Sequence, residues 1–332
     1  MVNNSTIITI EPLRPHFFTE EWETVITILF VCVSVSGIVA NSCVLYIILS
    51  VKELQTPLNL LLMNLSIADL IGSLGIYPMV FLDVSRTTIR GDTADLLCVL
   101  SIGLVVFFAC SGESILTLCA ISISRFIIIK FPLKVHWKLT KRGSIYVIVI
   151  SWIVSIALLL PNGMSFRYEV DTGYCYRYER PGINMQAYSI ITTVFGTVLP
   201  ITTMALTYFA IWRQLWKKPD FTNATPGTLQ SRKQIVKTLG VLMAAYIACW
   251  SPFFTYWTMA SLLKYYSDTP SGRIKIFRFY TIAVLFGLCN STLDPIIYTL
   301  RGEKFKKAIK NLLTRILRSG NEVLAISTTR RF

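Results

Sequence analysis

The stretch GLCNSTLDPIIYTL, residues 287–300, places an aspartate, Asp294, and a proline, Pro295, near the end of a long apolar run. By insertion scales an aspartate at the centre of a membrane helix costs about 2.5–3.5 kcal/mol, and a proline inside a helix removes one backbone hydrogen bond. Both residues need partners from elsewhere in the chain, and the rest of the sequence indicates which.

The chain has 332 residues, 53% of them hydrophobic and only 15% charged, with a mean hydropathy of +0.58. A soluble domain carries about a quarter charged residues. Apolar runs of about 20 residues, long enough to cross a bilayer, recur along the whole length. Seven are expected, at 25–51, 58–82, 98–129, 143–161, 187–215, 234–263 and 276–299. The organisation read from them is an outer N-terminal segment (1–24), one seven-helix membrane domain (25–300) and an inner tail (301–332).

The net charge of +14 raises the possibility of a nucleic-acid partner, but its distribution speaks for topology instead. With the N-terminus outside, and helix-end residues counted with the nearer face, 22 Lys and Arg fall inside and 10 outside. Of the 18 acids, 11 fall outside, 4 inside and 3 within spans. That asymmetry follows the positive-inside rule and gives the inner face a surface suited to anionic lipid or an acidic protein. No nucleic acid is expected.

The N-terminal segment holds two overlapping glycosylation triplets, Asn3-Asn4-Ser5 and Asn4-Ser5-Thr6, consistent with an outer location. A third, at Asn223, lies in an inner loop and is expected to stay unmodified. Six of the eight cysteines sit inside spans as small packing residues. Cys98 and Cys175 both fall at the outer face, an oxidising compartment, where a disulfide between them is favoured over free thiols.

Prolines interrupt the spans repeatedly: Pro78, Pro161, Pro200, Pro252 in CWSP, and Pro295. Proline is common in membrane helices. Its repeated placement beside polar or aromatic residues indicates kinked helices around an internal cavity. The motifs GIVANSCVLY (Asn41), NLSIADL (Asp69), SILTLCAISISRF (Arg125), Trp152, Pro200 with Tyr208, CWSP (Trp250, Pro252) and DPIIY (Asp294 to Tyr298) occur in this order, one per span. Together they resemble the rhodopsin-like (class A) G-protein-coupled receptors, over nearly the whole chain. The fold this implies is an all-α membrane protein, a seven-transmembrane-helix bundle with a short amphipathic eighth helix at the inner membrane face. RGEKFKKAIKNLLTRIL, from Arg301, has the basic amphipathic pattern for that helix, without the family's usual lipid-anchored cysteine.

The resemblance also places Asn41, Asp69, Ser114, Asn290, Ser291 and Asp294 around one internal site, which in the family holds sodium. Oxygen ligands suit such a hard cation, with Asp69 and Ser114 its first candidates. Two neighbouring carboxylates cannot both stay ionised without a cation, so either sodium binds or one carries a proton. The other reading is a polar network that only rigidifies the bundle. Glu113 is a third acid within the spans and has no counterpart in the family pattern.

The resemblance further implies an activation switch of Arg125, Tyr208, Trp250, Pro252, Pro295 and Tyr298, and a G-protein contact formed by Arg125, Pro132 and Leu133. The acid that normally precedes the third-helix arginine is here Ser124, and a second restraining acid is replaced by Arg232. A weakly locked inactive state is one expectation; restraint of Arg125 by hydroxyls of Ser124, Tyr208 or Tyr298 is the other. The family's amine-pairing aspartate is here Phe107, which speaks against an amine ligand. Opsin-like stretches (SLGIYP and GYCYRYE) lack the lysine of a retinal Schiff base, Leu288 standing in its place.

The expected function is therefore transmission of an extracellular signal, from a peptide or a small non-amine molecule, to a heterotrimeric G protein at the plasma membrane. No enzymatic activity and no covalent cofactor are expected. The rivals are an ion-coupled transporter or channel, against which the absence of inverted repeats counts, and an opsin-related receptor unable to hold retinal covalently. An intramembrane metallohydrolase is disfavoured because His16 and His136, the two histidines, both lie outside the spans.

Overall fold

The computed structural model describes residues 20–82, 89–170, 174–177, 184–217, 226–261 and 270–301, with isolated positions 306, 308, 310 and 314. Ten helices run in chain order: α1 (Glu20–Ser50), α2 (Pro57–Leu74), α3 (Tyr77–Phe81), α4 (Asp92–Ser101), α5 (Val105–Lys130), α6 (Lys141–Gly163), α7 (Met185–Thr193), α8 (Leu199–Lys217), α9 (Pro226–Ser261) and α10 (Pro270–Arg301). Between α7 and α8 the chain makes a π-helical turn, Val194–Val198. Seven of the resulting segments are long and apolar enough to cross a membrane. The glycosylation triplets at Asn3 and Asn4, the triplet at Asn223 and nearly all of the expected amphipathic helix lie outside the described residues.

Helix starts follow local chemistry. Thr56 caps α2 by accepting from the Asn59 N–H, with Pro57 at the first helical position, and Thr140 caps α6 by accepting from Gly143 N–H. Ile145, Tyr146, Val149, Ile150 and Ile153 leave α6 with an exposed apolar face, as expected where hydrocarbon is the solvent. The central helices are α2 and α5, on which Leu61, Leu65, Ala68, Phe107, Ile115 and Leu118 are buried. Polar bonds join the helices: Ser34 donates to the Ser73 carbonyl (2.8 Å), Ser144 to Pro57 (2.8 Å), Ser155 to Ala109 (2.7 Å) and Thr292 to Val33 (3.1 Å).

Two features depart from the sequence reading. First, the third span is not continuous over 98–129. It breaks at Ile102–Leu104, where Leu104 takes left-handed dihedrals (φ 46°, ψ 37°) and α5 starts anew at Val105. A Cβ on Gly103 would stand 2.6 Å from the Val99 carbonyl oxygen and 3.0 Å from the Phe166 ring, so this turn requires glycine. The resemblance puts Cys98 two residues further from Arg125 than is usual, and this break lies between them. Second, the all-α bundle carries one short hairpin outside its helices. Strands β1 (Phe166–Glu169) and β2 (Tyr174–Arg177) pair antiparallel beside α4, with Tyr168 opposite Cys175. This segment lies beyond the end of α6, where water can solvate the free strand edges.

The hairpin is held at two points. Cys175 is disulfide-bonded to Cys98 on α4. Asp95, also on α4, accepts from the Tyr168 backbone N–H at 2.7 Å and pairs with Arg167 at 2.5 Å. This end of the bundle is called the disulfide end below, and the opposite one, where α5 finishes, the arginine end.

Candidate functional site

Pro295 cannot donate to the carbonyl of Ser291, four residues earlier, so that acceptor is left over inside the bundle. Asn41 on α1 fills it: its Nδ2 donates to the Ser291 carbonyl at 2.9 Å and to Gly37 at 3.0 Å. Asp294 lies beside this joint, wholly buried, accepting from Asn290 Nδ2 at 2.9 Å. Asp69, 1% exposed on α2, accepts from the Ser114 hydroxyl at 2.8 Å, and the Ser291 hydroxyl is turned toward it. The two carboxylates lie within electrostatic reach of each other. All six expected cluster residues are thus gathered where α1, α2, α5 and α10 meet.

The cluster has acceptors to spare. Among the described residues, Oδ1 of Asn41, Oδ2 of Asp69, Oδ1 of Asn290 and Oδ1 of Asp294 are buried without a hydrogen-bond partner. Buried orphan oxygens are costly, and these four, two from carboxylates and two from amides, make a donor set suited to a small hard cation.

The same proline logic operates in the fifth span. Pro200 leaves the carbonyl of Gly196 without its helical donor, the chain loosens into the π turn, and the Tyr246 hydroxyl of α9 donates to that carbonyl. Tyr246 is one step from Trp250, which lies against Phe107 (21° between rings), Phe108, Phe253 and Phe254. Gly287 clears room for this packing, since a Cβ there would stand 3.3 Å from the Trp250 ring. Phe107, at the family's amine-pairing position, is spent on the Trp250 stack. Leu288, at the retinal-lysine position, is wholly buried.

Above Trp250, toward the disulfide end, a cavity of about 210 Å³ (the space open to centres of water-sized molecules) lies among α5, α6, α7, α9 and α10. Its lining includes Phe108, Phe166, Tyr188, Trp250, Phe253 and Trp257. At this rim Arg167 is paired with Asp95 and Lys275 is exposed. The side chains of Tyr174, Tyr176, Arg177, Tyr178, Arg180, Lys264 and Arg273 lie outside those described.

At the arginine end, Arg125 is half-buried and, among the described residues, makes no salt bridge or hydrogen bond. Tyr298 is turned toward α2, its hydroxyl 2.8 Å from Ser66 Oγ. The Tyr208 ring packs on α9 at Gly240, where a Cβ would stand 2.9 Å from it. Beyond α5, Lys134 lies over the Trp137 ring (4.0 Å) and, with Lys130, over Phe131, stiffening a short loop. From that loop Pro132 is exposed and Leu133 projects with 92% of its surface free.

Sequence reasoning left Glu113 without a role, and the structure supplies its surroundings. Wholly buried on α5, its Oε1 accepts from Asn64 Nδ2 (2.5 Å), Thr117 (2.9 Å) and Ser151 (2.9 Å). Trp152 Nε1 donates to Asn64 Oδ1 at 3.0 Å and closes the set. Glu113 therefore ties α2, α5 and α6 together. Its partners come from three helices, so no local sequence signal announces them.

Seven spanning helices, an aromatic cavity at one end, a polar cluster below it and, at the other end, an arginine unpaired among the described residues define a membrane receptor. The chain matches the model of the 7 transmembrane receptor (rhodopsin family) over residues 40–298. It is 25% identical to a QRFP-like peptide receptor of Branchiostoma floridae, over 88% of this chain and 78% of that protein. It is 27% identical to a Gq-coupled rhodopsin of Mizuhopecten yessoensis (88% of this chain, 60% of that one). To the human galanin receptor type 2 it is 24% identical (88% and 74%). This chain belongs to the rhodopsin family of seven-transmembrane receptors.

Proposed function

We propose that this receptor sits in the plasma membrane with its N-terminus outside, senses a peptide or small non-amine ligand, and activates a heterotrimeric G protein inside. The observation that carries the reading is the cavity floored by Trp250, one step from the Tyr246 bond that joins α9 to the fifth span. A ligand pressing on Trp250 would bias α9, which packs on Tyr208 nearer the arginine end. Leu133 is the exposed apolar residue offered to the G protein there. In nanodiscs the purified receptor is expected to accelerate guanine-nucleotide exchange on a G protein, and Leu133→Asp to reduce that rate at least tenfold. Ion flux through proteoliposomes without nucleotide exchange would establish the transporter reading instead.

The four orphan oxygens support a sodium ion held by Asp69 and Asp294, with Asn41, Ser114, Asn290 and Ser291 around it. Bound sodium would offset the repulsion between the paired carboxylates and hold α2 against α10. At ten times its dissociation constant it would stabilise the receptor by about 1.4 kcal/mol. Thermal unfolding in sodium against N-methylglucamine is expected to show this shift, and Asp69→Asn to abolish it. An unchanged sodium response in the variant would put the ion elsewhere.

The lone Arg125 supports a weakly locked inactive state with high basal signalling. A charge-assisted bond contributes about 1.5–3 kcal/mol, and each 1.4 kcal/mol shifts a two-state equilibrium about tenfold. Ser124→Asp and Arg232→Glu, at matched surface expression, are each expected to lower ligand-free nucleotide exchange about three- to tenfold. Flat or rising exchange would show that the missing acids do not matter.

A further inference from the structure

The cavity above Trp250 has an unusual electrical character. Its described lining contains no aspartate, glutamate, lysine, arginine or histidine. Its polar side-chain groups are hydroxyls, one amide and two indole N–H groups, and most of the hydroxyl protons are already committed. Ser111 donates to the Phe107 carbonyl (2.8 Å), Ser155 to Ala109 (2.7 Å), Tyr188 to Leu158 (2.9 Å), Thr192 to the Tyr188 carbonyl (3.0 Å), and Tyr246 to Gly196. A hydroxyl has one proton, so these five can offer an occupant only lone pairs, one of Thr192's being taken by the Trp257 indole N–H at 3.2 Å. Among the described lining residues, the Asn162 amide and the Trp250 indole N–H make no hydrogen bond, and both are neutral donors.

We propose that this cavity selects an uncharged, flat aromatic or similarly apolar ligand carrying a hydroxyl or N–H donor. The proposal rests on the receptor reading above and narrows it. An ammonium entering here would leave water without meeting an acid among the described lining residues. The ring faces of Trp250 and Trp257 offset only part of that loss. A carboxylate would find two neutral donors and a wall of lone pairs. Of the described ions at the hairpin, Asp95 and Arg167 neutralise each other, and Arg90 is held over the Tyr168 ring, donating to its hydroxyl at 3.1 Å. A neutral ligand instead buries apolar surface against the rings and donates to the spare lone pairs.

Three indoles of matched size test the proposal: tryptophol (neutral), tryptamine (cation) and indole-3-acetate (anion), each titrated against thermal unfolding of the full chain in nanodiscs. Tryptophol is expected to bind at least tenfold more tightly than either charged indole. Ser111→Asp, which puts an acid in the cavity wall, should reverse the order in favour of tryptamine; Thr192→Asp repeats that test from α7. No protection by tryptophol, or equal or better protection by a charged indole, overturns the proposal. Nucleotide exchange by the same preparation is read separately. A receptor that activates a G protein yet prefers a charged indole refutes the ligand class alone. One that activates none refutes the receptor reading.

Discussion

Replacing Glu113 by leucine is expected to destabilise the receptor by about 2–4 kcal/mol, although the change puts an apolar side chain into an apolar membrane. The reason is what remains behind. Glu113 Oε1 accepts three hydrogen bonds, and its loss leaves the Asn64 amide and the Thr117 and Ser151 hydroxyls turned toward a hydrocarbon group. A buried donor left unsatisfied costs about 1–3 kcal/mol, while a hydroxyl recovers part of this by turning to a backbone carbonyl. Ser151 already lies 2.9 Å from the Ile148 carbonyl. For a chain of this size the loss corresponds to a Tm lower by about 3–6 °C. Glu113→Gln keeps the shape and one acceptor oxygen and is expected to stay within about 1 kcal/mol of the wild type. A leucine variant as stable as the wild type would show that the cluster contributes nothing to holding the three helices together.

Loss of the Cys98–Cys175 bridge is the other large effect. The bond closes a loop with a sequence separation of 77 residues, and removal of such a link costs about 2–5 kcal/mol in disulfide-bonded domains. Here the consequence is local as well as global. The bridge and the Asp95 contacts together fix the hairpin against α4, and Phe166 of that hairpin lines the cavity. Cys98→Ser and Cys175→Ser are each expected to lower thermal stability by a similar amount, and the double variant to be no worse than either. Additive losses would mean that each cysteine acts independently of the other.

The spans were legible because bilayer thickness imposes length and composition on each segment separately, as the runs at 143–161 and 276–299 illustrate. The polar cluster was legible only by resemblance. Nothing local to Asn41 says that its amide will reach the Ser291 carbonyl, although the proline rule announces that this carbonyl lacks a donor. The same rule, applied to Pro200, exposes the Gly196 carbonyl and could have led to Tyr246. The break at Ile102–Leu104 had only Gly103 and the lengthened spacing from Cys98 to Arg125 as signals. Neither specifies a left-handed leucine, which is wholly buried in the bundle. Glu113 was visible as an anomaly but not as a joint, because its partners are contributed by separate helices.

The two proline joints carry a consequence for how this sequence can vary. At each, the bend belongs to a pair of residues on different helices: Pro295 with Asn41, and Pro200 with Tyr246. An alanine at position 200 would restore an N–H that competes for the Gly196 carbonyl and strand the Tyr246 hydroxyl. A phenylalanine at position 246 is harmful beside Pro200 and harmless beside that alanine. Each position thus sets which substitutions the other tolerates, and drift through one member alone passes through a less stable intermediate. Residues distant in sequence, and lacking any charge to mark them, are in this way bound to a common evolutionary fate.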